Sequence, residues 1–249
     1  RLRTSVYLNG KLCDAVVSRI GIRSIEFRGA DGLYINGKPF GDKLMGVNRH
    51  QDYAYIGNAV PNNLHWLDVK KMRDAGFRII RSAHHPQDPA FMDACDELGM
   101  FIIVATPGWQ YWNPEPVFEE RILSDIRNMV RRDRNHPSVL LWEPVLNETA
   151  FPESFAQNAY RATHEEYPAP GCYAAIDDKS KGAMGYDVVY TAPKNEAFYR
   201  NAGKSCFTRE YGDCVDDWNS HNSYSRVARE WGEEPQIRQA QHYARKDYG

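Results

Sequence analysis

A (β/α)8 barrel is the fold class that this 249-residue sequence predicts, on three observations. Short apolar runs recur from Lys43 onward, each followed by an amphipathic stretch or a long polar loop. Seven such runs stand in series. The fourth of them, Ser138-Val139-Leu140-Leu141-Trp142, is apolar throughout, as a strand buried on both faces must be. Strands alternating with helices build a parallel sheet, and seven units in series favour a barrel over an open, doubly wound sheet. No Gly-rich phosphate loop follows the first run, so the usual mark of the nucleotide-binding alternative is missing.

The elements follow in order. Residues 15–40 alternate apolar and polar side chains and carry Asn36-Gly37 between short runs, which is hairpin chemistry. The first barrel strand is KLMGVN, followed by a helix within 62–75 that carries Leu64, Leu67 and Met72 and stops at Gly76. FRIIRSA is the second strand, then a helix from Pro89 to Leu98 stopped by Gly99, and MFIIVAT is the third strand. Over 116–133, Phe118, Ile122, Leu123, Ile126, Met129 and Val130 fall on one helical face. The fourth strand, SVLLWEPVLNE, leads to a helix near 153–166. CYAAI, DVVYTA, a helix near 194–201, SCFTREY and a helix within 224–246 complete the series. A full barrel takes about 250 residues, whereas Lys43 to Gly249 gives 207 (249 − 43 + 1), so the eighth strand is expected beyond this chain.

Composition narrows the function. A formal net charge of −2 gives no electrostatic footprint for nucleic acid or an anionic membrane surface. No stretch approaches a transmembrane span, and the first residues lack the apolar core of a signal peptide. Five cysteines without a CxxC pair suggest neither a disulfide framework nor a zinc knuckle. Six Trp and 15 Tyr are more than a core of this size requires, and such rings are common where sugars stack.

Chemistry in a barrel sits at the carboxyl ends of the strands. Those ends carry Asn48-Arg49-His50, Arg81 with His84-His85, Thr106 and Trp109, Asn147-Glu148, Tyr190, and Glu210-Tyr211. Glu148 on the fourth strand and Glu210 on the seventh face each other across the barrel mouth. Paired carboxylates across a cleft suit glycoside hydrolysis, in which one protonates the leaving oxygen and the other attacks or activates water. The plainer readings are a helix-capping Glu148, an exposed Glu210–Arg209 ion pair, and core or metal-ligating histidines at 50, 84 and 85.

RSAHHPQDPAFMDACDELGMFII and DRNHPSVLLWEPVLNE, with GVNRHQD and FTREYGD, resemble the signature regions of glycoside hydrolase family 2, the β-galactosidase, β-glucuronidase and β-mannosidase family. The resemblance covers nearly all of Lys43–Gly249. It implies a retaining exo-β-glycosidase barrel, residues 29–249, preceded in residues 1–28 by the last strands of an immunoglobulin-like sandwich. It implies Glu148 as acid/base and Glu210 as nucleophile, so Glu148 should have a raised pKa in the free enzyme. Asn147 would contact the sugar 2-hydroxyl, Arg81 and Tyr190 would hold the nucleophile, and His50 and His84 would line the glycone pocket. Trp109, after a Pro-Gly turn, is the candidate sugar platform, and Asp213 stands where the best-known β-galactosidases carry a His. Glu143-Pro144 replace the small residue normally found after Trp142, so the local backbone is expected to differ there. VATPGWQYWN offers no magnesium ligands, so no metal or other cofactor is expected. The implied partner is a carbohydrate, most readily a β-galactoside, with β-glucuronide and β-mannoside open and a non-catalytic carbohydrate-binding barrel as the alternative of another class. Homo-oligomerisation is left open. PGWQ resembles branches of the family from polysaccharide-degrading bacteria, pointing to a periplasmic or secreted enzyme with the cytoplasm left open.

Overall fold

The computed structural model describes residues 1–41, 43–191 and 195–210. Asp213 and the helix expected within 224–246 lie outside the described residues. Strands β1 (Leu2–Leu8) and β2 (Lys11–Ser18) form an antiparallel hairpin, and β3 (Ile25–Phe27), β4 (Leu33–Ile35) and β5 (Lys38–Pro39) form a small antiparallel sheet. Asn36 and Gly37 both have positive φ, 52° and 73°, the geometry of a two-residue hairpin turn.

All seven expected barrel strands are present. β6 (Gly46–Arg49), β7 (Ile79–Ser82), β8 (Phe101–Ala105) and β9 (Val139–Glu143) pair in parallel, in chain order. So do β10 (Ala175–Asp177), β11 (Val188–Tyr190) and β12 (Ser205–Phe207). A parallel bridge from Trp142 to Ala174 joins the two sets. Helices α1 (Asn62–Asp74), α2 (Pro89–Leu98), α3 (Pro116–Asp133), α4 (Glu153–Glu166) and α5 (Glu196–Asn201) follow their strands as the sequence predicts. The ends of α2 show why: Asp88 caps the Ala90 N–H at 2.8 Å, Pro89 opens the helix, and Gly99 ends it at φ 69°.

Strand residues alternate between two cores. Ile80, Ile102, Val104 and Trp142 pack outward with Val69, Phe91, Met92 and Val130 of the helices, while Ile79, Ile103, Leu141 and Val188 fill the barrel interior. The same alternation turns Arg81, Glu143, Asp177 and Tyr190 inward at the carboxyl ends. At the opposite end Ile25 joins the interior cluster, the Tyr173 hydroxyl donates to its carbonyl at 3.3 Å, and Arg23 donates to the Pro137 and Val139 carbonyls at 2.5 Å each. The sheet β3–β5 thus closes the bottom of the barrel and leaves the top for chemistry.

Candidate active site

Arg81, 3% exposed, stands at the centre of the barrel top. Its Nε and Nη2 donate to the two oxygens of Glu143 at 2.6 and 2.5 Å, Nη1 donates to Glu210 Oε1 at 2.6 Å, and Nη2 also reaches Asn147 Oδ1 at 3.1 Å. The Tyr190 hydroxyl, expected to hold Glu210, donates instead to Glu143 Oε2 at 3.3 Å. Arg209 repeats the arrangement. Its Nε and Nη2 reach the two oxygens of Asp177 at 2.9 Å, while Nη1 donates to Asn147 Oδ1 and stands 3.7 Å from Glu210 Oε1. Asn147 is 3% exposed and presents its amide nitrogen to His84 Nε2 at 3.4 Å.

Glu148 lies on the rim. The Trp109 indole N–H and the Gln110 side-chain amide both donate to its Oε2, at 3.0 and 2.7 Å. This corner is built by two segments locked together: Trp109 bridges Asn147, and Gln110 N donates to the Asn147 carbonyl at 3.0 Å. Gln110 and Glu148 both hold left-handed backbones, φ 53° and 48°, which non-glycine residues keep only when their surroundings impose them, often at functional sites. Gly108 is needed beside them, because a Cβ there would fall 2.5 Å from Leu146 Cδ2. Trp109 is 57% exposed and stacks on His84 with ring centroids 6.2 Å apart; the His84 ring stands edge-on to exposed His50 at 5.5 Å.

The electrostatics separate the carboxylates. Burial alone would push the Glu143 carboxyl up, but the Arg81 charge and hydrogen bonds hold it below the ordinary range. Burial pushes Asp177 up to about 6 against the pull of Arg209. His84, desolvated and close to Arg81, is held down at about 4 and is neutral near pH 7. Glu148 corrects an expectation: its pKa is lowered, not raised. The Trp109 N–H is the largest cause; partial burial opposes it and Gln110 adds to it. The carboxylate sits on the wet rim and accepts two N–H groups, each favouring the charged form. Trp109→Phe should therefore move the basic limb of kcat/KM to higher pH. An unchanged limb would show that the indole N–H does not govern this carboxyl.

The sequence model described as "Glycosyl hydrolases family 2, TIM barrel domain" matches residues 25–169. The chain belongs to glycosyl hydrolase family 2. A β-galactosidase of Thermoanaerobacterium thermosulfurigenes is 36% identical to this family 2 chain over 157 residues, 62% of the chain and 21% of that protein. A β-glycosidase from Bacteroides vulgatus has 27% identity and a TM-score of 0.67, over 82% of this chain and 27% of the other. A family 2 member from Bacteroides cellulosilyticus superimposes with a TM-score of 0.72 at 23% identity, over 92% and 32%, a likeness of fold. The chain thus spans about a fifth of the curated relative and about a third or less of the solved structures.

Of the residues named from sequence, the structure gathers Glu148, Glu210, Asn147, Arg81, His84, His50, Trp109 and Tyr190 at the barrel top; Asp213 lies outside the described residues. Glu148 is no helix cap, since α4 begins at Glu153 after Pro152. Arg209 and Glu210 are not an exposed pair either, their side chains being 11% and 23% accessible. The sequence reading missed Glu143, Asp177, Arg209 and Gln110. Strand alternation carried the signal for two of them, because Glu143 and Asp177 end strands on the inward register. Among the described residues, Asp93, Asp96 and His136 form the one His and carboxylate group close enough to share an ion. It is remote from the barrel top, because His136 precedes β9 at its amino end, and both Asp96 oxygens are already taken by His136 and Ser138.

Proposed function

We propose that the protein is a retaining, exo-acting β-glycosidase that hydrolyses terminal β-linked sugars, most readily β-galactosides of oligo- or polysaccharides. The observation that carries the reading is the placement of Glu148 and Glu210 just beyond the carboxyl ends of β9 and β12, with Asn147 bonded to both arginines between them. The β-galactosidase name of the Thermoanaerobacterium thermosulfurigenes relative supports the substrate.

In the first step an oxygen of Glu210 bonds to the anomeric carbon, the glycosidic C–O bond breaks, and the departing oxygen takes the proton of Glu148. In the second step Glu148 removes a proton from water, whose oxygen displaces Glu210 and releases the sugar with its configuration retained. Glu148 must gain a proton before the first step. A glycosidic oxygen that displaces the Trp109 and Gln110 N–H groups removes what holds the carboxyl down. The exposed face of Trp109 supplies a stacking surface, and the Asn147 amide is placed to donate to a sugar hydroxyl.

We read the β1–β2 hairpin as the end of the immunoglobulin-like sandwich expected over residues 1–28, a reading supported by its exposed Val6, Tyr7, Val16 and Val17; Ile25–Phe27 belong instead to the sheet beneath the barrel. No described helix is long and apolar enough to cross a membrane. A panel of nitrophenyl β-glycosides on the full-length protein tests the activity. β-Galactoside should be the best substrate, the first product seen by proton NMR should be the β-anomer, and exhaustive chelation should leave the rate unchanged. An α-anomer first product, or turnover restored only by added metal, would overturn the mechanism.

A further inference from the structure

We propose that Glu143 and Asp177 are positioning residues that each clamp one arginine, so that the nucleophile faces two guanidiniums already neutralised by carboxylates of their own. The inference rests on reading Glu210 as the nucleophile. Both arginines are used in the same way: the edge formed by Nε and Nη2 is closed by a bidentate carboxylate, and Nη1 turns toward Glu210. Such fork-to-fork pairing fixes the plane of a guanidinium as well as its charge. Glu143 is 2% exposed, so its charge is present in the barrel only because Arg81 is.

The clamps matter most when Glu210 reacts. On forming the glycosyl ester, Glu210 loses its negative charge. Two arginines whose only counter-ion was the nucleophile would then be left uncompensated in a desolvated site, and the intermediate would be penalised. Before reaction, the same two free cations would hold the carboxylate too tightly for a good nucleophile. Glu143 and Asp177 relieve both conditions. Among the described residues, the other groups facing this cluster are Tyr190 of β11, His84 after β7 and the Asn48 amide of β6, which accepts from Arg81 Nη1 at 3.4 Å. Neither Tyr190, buried and raised well above its ordinary value, nor neutral His84 can replace the missing negative charge near pH 7. The second clamp holds fully only above about pH 6, where Asp177 is ionised.

The prediction is that the two half-reactions respond in opposite directions. In the full-length protein, E143Q and D177N should each slow covalent trapping by 2-deoxy-2-fluoro-β-galactosyl fluoride roughly 10- to 100-fold. Hydrolytic reactivation of the trapped enzyme should be unchanged or faster, because the departing carboxylate is better stabilised. A merely structural loss would slow trapping and reactivation alike; that result in a folded variant overturns the proposal. If E143Q does not fold, D177N, at the more accessible clamp, decides by the same rates. Peptide mapping of the trapped wild-type protein tests the underlying reading separately. A label on Glu210 sustains it, and a label elsewhere removes it and the clamp with it.

Discussion

Glu210→Ala should abolish glycosylation of every β-glycoside, whereas Glu148→Ala should lose glycosides with poor leaving groups and keep dinitrophenyl substrates. The asymmetry follows from the roles. No leaving group is good enough to dispense with the attacking carboxylate, but a dinitrophenolate departs without a proton. Losing general acid catalysis costs about 10²- to 10⁴-fold where a proton is needed. Adding azide to Glu148→Ala should raise the rate and yield a β-glycosyl azide, because the anion reaches the intermediate from the face that the missing base occupied. An α-azide would exchange the two roles, and an absence of rescue would remove Glu148 from the mechanism. Circular dichroism separates these effects from misfolding, and Glu148 is well suited to the test because it is exposed and its partners, Trp109 and Gln110, lie on the rim.

The barrel was legible in the sequence because its signals are local. Apolar runs such as FIIVA and VLLWE are buried on both faces, and helix punctuation by Asp88, Pro89 and Gly99 places α2 to the residue. The two glutamates were legible because polar residues at the end of a buried strand have few other uses. What stayed hidden is pairing between strands far apart in the chain. Glu143 read only as a departure from the family pattern; it is the last residue of β9, which delivers its carboxylate to Arg81, 62 residues earlier. No motif in the sequence singles out Asp177, and only the closing of β10 onto β11 brings it to Arg209. The low pKa of Glu148 was equally out of reach, since it depends on which way two side chains from the loop after β8 turn.

Arg81→Met should be the most destabilising single change among these site residues, and its cost should depend on pH in a direction that identifies the cause. Methionine fills much of the same volume but leaves buried Glu143 with only Arg209 as a cation, its Nη1 4.0 Å away and bonded to Asn147 while Nε and Nη2 are held by Asp177. Removing one partner of a buried ion pair costs about 3 to 5 kcal/mol at neutral pH. In the natural protein the Glu143 pKa is lowered on folding, so its contribution is complete above the ordinary carboxylate value and is lost as pH falls toward the lowered one. In Arg81→Met burial is opposed only by the weaker pull of Arg209 and the Tyr190 hydroxyl, so the pKa in the fold should rise above the ordinary value and the sign should reverse. The penalty is then absent below about pH 4.3, the ordinary glutamate value, and grows as pH rises through it. The stability gap between the two proteins, measured by urea unfolding at pH 7.5 and 4.5, should therefore narrow on acidification. A gap that is constant or wider at pH 4.5 would mean that lost packing, not an uncompensated Glu143 charge, destabilises the variant.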